Sequence, residues 1–307
     1  MTSLPARAST PSRTPPRTPP RTPLRARTRP PAPRRVRLLG RAAAVVALTA
    51  GALVSAVPFY WMAVASTRDN AELFASPPPF LPGGRLLHNL VALQHSIGFG
   101  RVMLNSVGVS VVYTVLSSLI SAMCGYGLAK YRFRGRGLLL GLVLATMMIP
   151  FQVLLVPLFQ MMASLGWVDT YQAVILPFLA NSFGIFLMRQ AFLGFPDELI
   201  ESARMDGAGD LRIFYRIVLP VVRPQLGALV IFSFMTQWNA FLWPLLMLNT
   251  EDKYTAPVAL YTLIGQSHVD YAGLILGSFL ATLPVMLLFF LFQKQFVSGL
   301  LGGAVKG

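Results

Sequence analysis

The stretch VMLNSVGVSVVYTVLSSLISAMCGYGLAKYRFRGR, Val102 to Arg136, runs for 28 residues without Asp, Glu, Lys or Arg and then sets four basic residues within seven positions. An uncharged apolar run of about 18 residues or more can cross roughly 30 Å of hydrocarbon as a helix, with every backbone polar group satisfied internally. Working outward, runs of the same kind occupy 42–67, 137–168, 170–188, 224–250 and 271–293. Of the 307 residues 54% are hydrophobic and 12% charged, too few charges to clothe a soluble chain of this size. The fold class is therefore an all-α membrane protein with six transmembrane helices, at about 42–66, 102–129, 138–162, 170–190, 218–249 and 271–293.

Basic residues orient these spans. Eleven of the 26 Lys and Arg lie in the first 41 residues, and Lys130 to Arg136, Arg189 to Arg223, Lys294 and Lys306 follow at alternate connections. An amino terminus in the cytoplasm places 22 of the 26 on the cytoplasmic side, as the positive-inside rule requires, and six crossings return the carboxyl terminus there. The expected location is the cytoplasmic membrane, multi-pass. Residues 1–37, with the near repeat RTPPRTPPRTP, are expected to be a disordered cytoplasmic tail drawn to anionic lipid headgroups, and 38–307 the transmembrane domain. No nucleic-acid partner is expected. The external loop after the first span carries SPPPFLPGG and should be turn-rich, while Pro150, Pro157, Pro177, Pro244 and Pro284 should kink the spans they interrupt.

Several chemistries are excluded. No GxxxxGK[ST] phosphate loop, GxSxG elbow or HExxH pair occurs, so no enzyme active site is expected. Cys124 is the single cysteine, and His88, His95 and His268 match no metal spacing; neither a metal nor a cofactor is expected. The six runs hold no carboxylate, whereas ion-coupled carriers commonly use one inside the membrane. A chain that moves solute uphill without either device needs an engine outside the membrane.

The polar stretch ELIESARMDGAGDLRIFYRIVLP, Glu198 to Pro220, offers a place for it. Pro196 sets a helix start, Asp197, Glu198 and Glu201 suit its positive end, and Ala203 and Gly207, four apart, would share a small-residue face. Gly207 and Gly209 allow a sharp bend. This knob could enter a partner's groove or lie as an amphipathic helix at the headgroups. Its spacing, Glu201-Ser202-Ala203, three residues, Gly207, nine residues, then Ile217, Leu219 and Pro220, resembles the EAA signature of ABC importer permeases, with Ser202 for the second alanine. Together with NSVGVS from Asn105, YRFRGRG from Tyr131, WNAFLWPLL from Trp238 and the terminal FVSGLLGGAVKG, it looks like the sugar-permease branch, similar to the second membrane subunit of maltose-type importers.

That resemblance implies a type I ABC importer permease fold and a coupling helix within 196–212. It implies that Glu201, Ser202, Ala203 and Gly207, with Asp206 and Ala208 adjoining, contact an ATP-binding subunit. It also implies two such subunits, a second permease and an extracytoplasmic solute-binding protein as partners. The function expected is ATP-driven import of a sugar or oligosaccharide; a polyol, glycerol phosphate or peptide permease, a secondary carrier and a non-transporting scaffold are the alternatives. Asn105, Asn181, Gln237, Trp238 and Asn239, polar within apolar runs, are candidates for the solute path, since amides and aromatic rings hold hydroxyl-rich solutes; interhelical hydrogen bonding is their other reading.

Overall fold

A computed structural model describes residues 34–265 and 269–304, with side chains over 41–265 and 269–293. The Pro-Arg-Thr tail through residue 33, His268 and Lys306 lie outside the described residues. Every regular element among the described residues is helical. In order these are α1 Arg34–Ala65, α2 Asn70–Leu73, α3 Leu86–Ile97, α4 Phe99–Lys130, α5 Arg136–Thr146, α6 Phe151–Ser164, α7 Tyr171–Ile175 and α8 Ser182–Leu193. They continue with α9 Asp197–Met205, α10 Asp210–Ile213, α11 Leu219–Val221, α12 Arg223–Trp238, α13 Leu242–Met247, α14 Ala256–Ile264 and α15 Tyr271–Ala304. The chain divides after Val54 into two compact units, with α1 running across the division; the packing described below belongs to Ser55 onward.

Three helices are long and apolar enough to cross a membrane unbroken: Arg41–Ala65 of α1, α4, and Tyr271–Gln293 of α15. Three more candidates are bent pairs, giving up to six. The run read as 138–162 turns through 100° between α5 and α6. Pro150 is the cause: it excludes Ile149 from helical backbone and caps α6 in an extended conformation. The run at 170–190 bends by 43° after the 3-10 turn Leu176–Phe178. The run read as one helix over 218–249 is three pieces. Asp210–Val221 meets α12 at 86°, where Pro224 follows the break, and the chain leaves the helix again at Asn239 before α13. Proline alone does not decide a bend, since Pro157 and Pro284 sit inside continuous helices.

Packing follows the rule of lipid rather than of water. Along α4 the buried face carries Ser106, Ser110, Tyr113, Ser117, Ser121 and Gly125, one helical turn apart, while Leu104, Val111 and Val115 point outward. Small residues let helices approach, and large apolar ones face hydrocarbon at no cost. The hydroxyls of Ser117 and Ser121 have no hydrogen-bond partner among the described residues, so size is what places them. The closest approach is to α8: a Cβ on Gly125 would lie 2.8 Å from the Arg189 nitrogen, and one on Gly184 2.6 Å from the Ser121 Oγ. In the loop after α1, Arg68 donates to the Leu81 carbonyl at 2.8 and 3.2 Å and Tyr60 to Phe80 at 2.6 Å, so the proline-rich segment is pinned, as a turn-rich reading required.

In the loop before α7 Asp169 adopts a left-handed φ of 61°, which Asp tolerates better than most residues. Its carboxylate accepts from Lys253 Nζ at 2.7 Å, Thr250 Oγ1 at 2.6 Å and the backbone nitrogens of Asn249 and Thr250 at 2.9 and 3.1 Å. Lys253 foremost, then Thr250, holds this carboxyl well below the ordinary range. The native-state pKa is depressed, so the clamp's stabilisation is complete above the ordinary Asp value near 4 and is lost as pH falls through the lower folded value. Asp169→Ala should therefore lower the melting temperature of the detergent-solubilised chain at pH 7, by the equivalent of about 2 kcal/mol, and the difference from wild type should shrink on acidification. A pH-independent difference would overturn the assignment.

Candidate functional site

Two sites emerge, one on the polar stretch and one where the broken helices meet. At the first, Pro196 caps α9 from an extended conformation and the helix begins at Asp197, with Asp197 and Glu198 in the first turn. The helix ends at Met205, and Gly207 follows at φ +79°. The Gly207 nitrogen donates to the Arg204 carbonyl and the Ala208 nitrogen to the Ala203 carbonyl, both at 3.0 Å. This is the Schellman termination, in which a glycine in left-handed conformation closes the last turn. The expectation that Ala203 and Gly207 share one small-residue face is thereby corrected: Gly207 lies beyond the helix. Ala203 points inward, buried in a core with Tyr126, Phe192, Ile200, Ile213 and Phe214.

Glu201, Ser202, Asp206 and Gly207 are exposed and Ala208 is half-buried. No cation of this chain pairs with Glu201 or Asp206 among the described residues, in contrast to Arg204, which donates to Asp210 at 3.0 and 3.2 Å. Met205, Leu199 and Leu211 add exposed apolar surface around these free carboxylates. A surface of this kind, small and acidic with apolar flanks, suits a protein partner.

The second site is a cavity of about 740 Å³. Three breaks in the helices open onto it: Thr146, Ile149 and Phe151 from the α5–α6 bend, Ala180, Asn181 and Ser182 from the start of α8, and Gln237, Ala240 and Phe241 from the break at Asn239 that ends α12; the 86° bend before α12 lies away from it. Irregular backbone inside a membrane protein is tolerated where it lines such a space. The wall is aromatic. Phe151, Phe178 and Trp243 pack edge to face with centroids 5.6 to 6.2 Å apart, and Trp243 is fixed by its Nε1 donating to Ala173 at 2.9 Å.

Of the five solute-path candidates the cavity gathers Asn181 and Gln237 only. Asn181 accepts from the Gly184 nitrogen at 2.8 Å to cap α8, which occupies its carbonyl oxygen and leaves its amide donors. Gln237 is 7% exposed, yet its amide makes no hydrogen bond among the described residues. The others are committed elsewhere: Asn105 donates to Asp252 and Tyr254, Trp238 to Ala281 and Asn239 to Met235. Sequence reading missed Thr146, Ser182 and Thr236, which also line the cavity. The Pro150 break was the signal for the first of them. Among the described residues no Asp, Glu, Lys, Arg or His contributes to the lining.

A helical membrane chain with interrupted spans around a cavity and an exposed acidic helix end has the anatomy of a transport permease. Residues 115–301 match the family described as binding-protein-dependent transport system inner membrane component, and the chain belongs to that family. It is 40% identical to the arabinooligosaccharides transport system permease protein AraQ of Halalkalibacterium halodurans, over 83% of this chain and 93% of that one. It is 35% identical to the sn-glycerol-3-phosphate transport system permease protein UgpE of Pectobacterium atrosepticum, over 83% and 94%. Among solved structures it resembles a chain of a bacterial ABC transporter that imports the acidic polysaccharide alginate, with TM-score 0.74 and 26% identity over 87% of this chain and all of that one. The chain is thus a multi-pass permease subunit of the cytoplasmic membrane.

Proposed function

We propose that this chain translocates an uncharged sugar or oligosaccharide, powered by ATP hydrolysed on two separate ATP-binding subunits. A second permease completes the pathway, and an extracytoplasmic binding protein delivers the solute. Both termini lie in the cytoplasm on this reading, in line with the distribution of basic residues. Glu201, Ser202, Asp206, Gly207 and Ala208 form the contact with an ATP-binding subunit, and Ala203 supports that contact from the core.

The observation that carries the sugar reading is the cavity: aromatic walls for sugar faces, and Gln237, Asn181, Thr146, Ser182 and Thr236 as its polar groups, all uncharged. The named relatives include a permease for arabino-oligosaccharides and one for an anionic glycerol phosphate, and the lining chemistry favours the first kind. An unpaired phosphate in a cavity without a cation would be strongly disfavoured.

The importer assembled with its partners in proteoliposomes should take up arabinotriose and not sn-glycerol 3-phosphate. The opposite preference would overturn the reading. Gln237→Leu should lower uptake about tenfold, the equivalent of one hydrogen bond of about 1.4 kcal/mol. Binding of solute to the binding protein should be unchanged; unaltered uptake would remove Gln237 from the path.

A further inference from the structure

The motif at the end of α4, Lys130-Tyr131, has no role in the cavity or on the exposed face of α9. Its contacts give it one. Lys130 is an amine buried to 7% side-chain exposure, and its Nζ donates to the Phe195 carbonyl and to Asp197 Oδ1, each at 2.5 Å. These are the two residues flanking Pro196, at the start of α9. Tyr131 serves the other end. Its ring lies 5.9 Å from the Arg204 guanidinium and packs edge to face on Tyr126 at 5.7 Å, and its hydroxyl, foremost, holds the Asp210 carboxyl below the ordinary range. Arg136 turns back to donate to the Tyr131 and Ala129 carbonyls at 3.3 and 3.4 Å, which fixes the end of α4 where both contacts originate.

What α4 does with that grip is set by its shape. Its 32 residues form one continuous helix, about 48 Å long. It packs along α8 and α12, two helices whose ends line the cavity. At the far end Arg101 pairs with Asp252 at 2.6 Å, Asn105 donates to the Asp252 and Tyr254 carbonyls, and Ser106 accepts from the Ala256 nitrogen at 2.6 Å. One unbroken rod therefore joins both ends of α9 to the loop before α14, past the broken helices.

We propose that Lys130 and Tyr131 are positioning residues that fasten α9 at both ends to α4, so that displacement of α9 by an ATP-binding subunit moves α4 as a lever and opens or closes the cavity. This rests on the reading that α9 receives such a subunit, and the test separates the two. The full importer carries Cys124→Ser and a reporter cysteine at Ala240→Cys in the cavity, and labelling by a membrane-impermeant maleimide is measured with and without ATP and vanadate.

With the native Lys130 and Tyr131 the trapped state should change the labelling rate about tenfold. In Lys130→Met that change should fall to less than twofold while the ATP-binding subunits still co-purify. Tyr131→Phe, which keeps the ring and removes only the hydroxyl, should show a partial loss, and Lys130→Arg should restore the response. A merely structural lysine would alter yield and melting temperature and leave the response intact. Should Lys130→Met fail to accumulate, Tyr131→Phe decides: a full response there overturns the proposal. Retention of the response in Lys130→Met overturns it equally. Glu201→Lys is the control for docking. If it retains both co-purification and response, the docking reading itself fails; if it abolishes them while Lys130→Met and Tyr131→Phe respond fully, the lever alone fails.

Discussion

Gly207→Val will abolish ATP-coupled uptake while leaving the chain inserted in the membrane. The position holds φ at +79°, a conformation in which a β-branched residue is strained by about 1–3 kcal/mol. Space is not the obstacle, since a Cβ there meets nothing within 4 Å. The strain is relieved by unwinding the last turn of α9, which releases the Ala208-to-Ala203 and Gly207-to-Arg204 bonds and displaces Asp206 from the exposed end. The surface proposed to contact the ATP-binding subunit is then lost, although the buried core is untouched. Gly207→Asn, which tolerates the left-handed region, should retain most activity. Charge reversal at Glu201 should match the valine variant by a different route, replacing an unpaired carboxylate with a cation and no backbone change. Uptake and ATPase coupling in proteoliposomes check both; normal coupling in Gly207→Val and Glu201→Lys together would refute docking at this helix.

Gly125→Leu will prevent accumulation of the folded chain, an effect on assembly rather than on coupling. Even a methyl group there would lie 2.8 Å from both the Arg189 nitrogen and the Met188 Cβ, so Gly125→Ala already forces α4 and α8 apart. Overpacking costs about 1–3 kcal/mol, and leucine adds three heavy atoms to a contact whose opposing surface is backbone. This pair forms the most extensive helix contact among the described residues. Gly127, two residues on, has open space at its Cβ, and Gly127→Ala should behave as wild type. Yield after detergent extraction and the melting temperature separate the cases. A Gly125→Leu chain that melts with the wild type would contradict the packing described.

Much of the architecture was legible beforehand because the bilayer imposes a simple length criterion. Six uncharged runs were visible, and the family match and helical fold agree with them. The interior of those runs was less legible. Pro150, Pro157, Pro177, Pro244 and Pro284 look alike in sequence, yet Pro150 marks a 100° turn and Pro157 sits within a continuous helix. A proline removes one donor wherever it lies; whether the helix breaks depends on what neighbours supply to the freed carbonyl. The residues proposed to contact an ATP-binding subunit could be located by spacing, but their orientation could not. A helix turns by about 100° per residue, so Ala203 inward and Ser202 outward is decided by the packing of α9 on Phe192 and Ile213.

The sequence by itself determined that this chain is a helical membrane protein whose six uncharged runs hold no carboxylate and which carries no GxxxxGK[ST] phosphate loop, and where the polar stretch 198–220 lies, because those properties depend on composition and order along the chain. Only the tertiary structure decided that Gln237 and Asn181 share a cavity while Asn105, Trp238 and Asn239 do not, and that Lys130 grips Asp197 across 67 positions. Such pairings depend on the rotation and bend of several helices at once, and the breaks at Pro150, before α8 and at Asn239 bring to one cavity residues that no local periodicity relates.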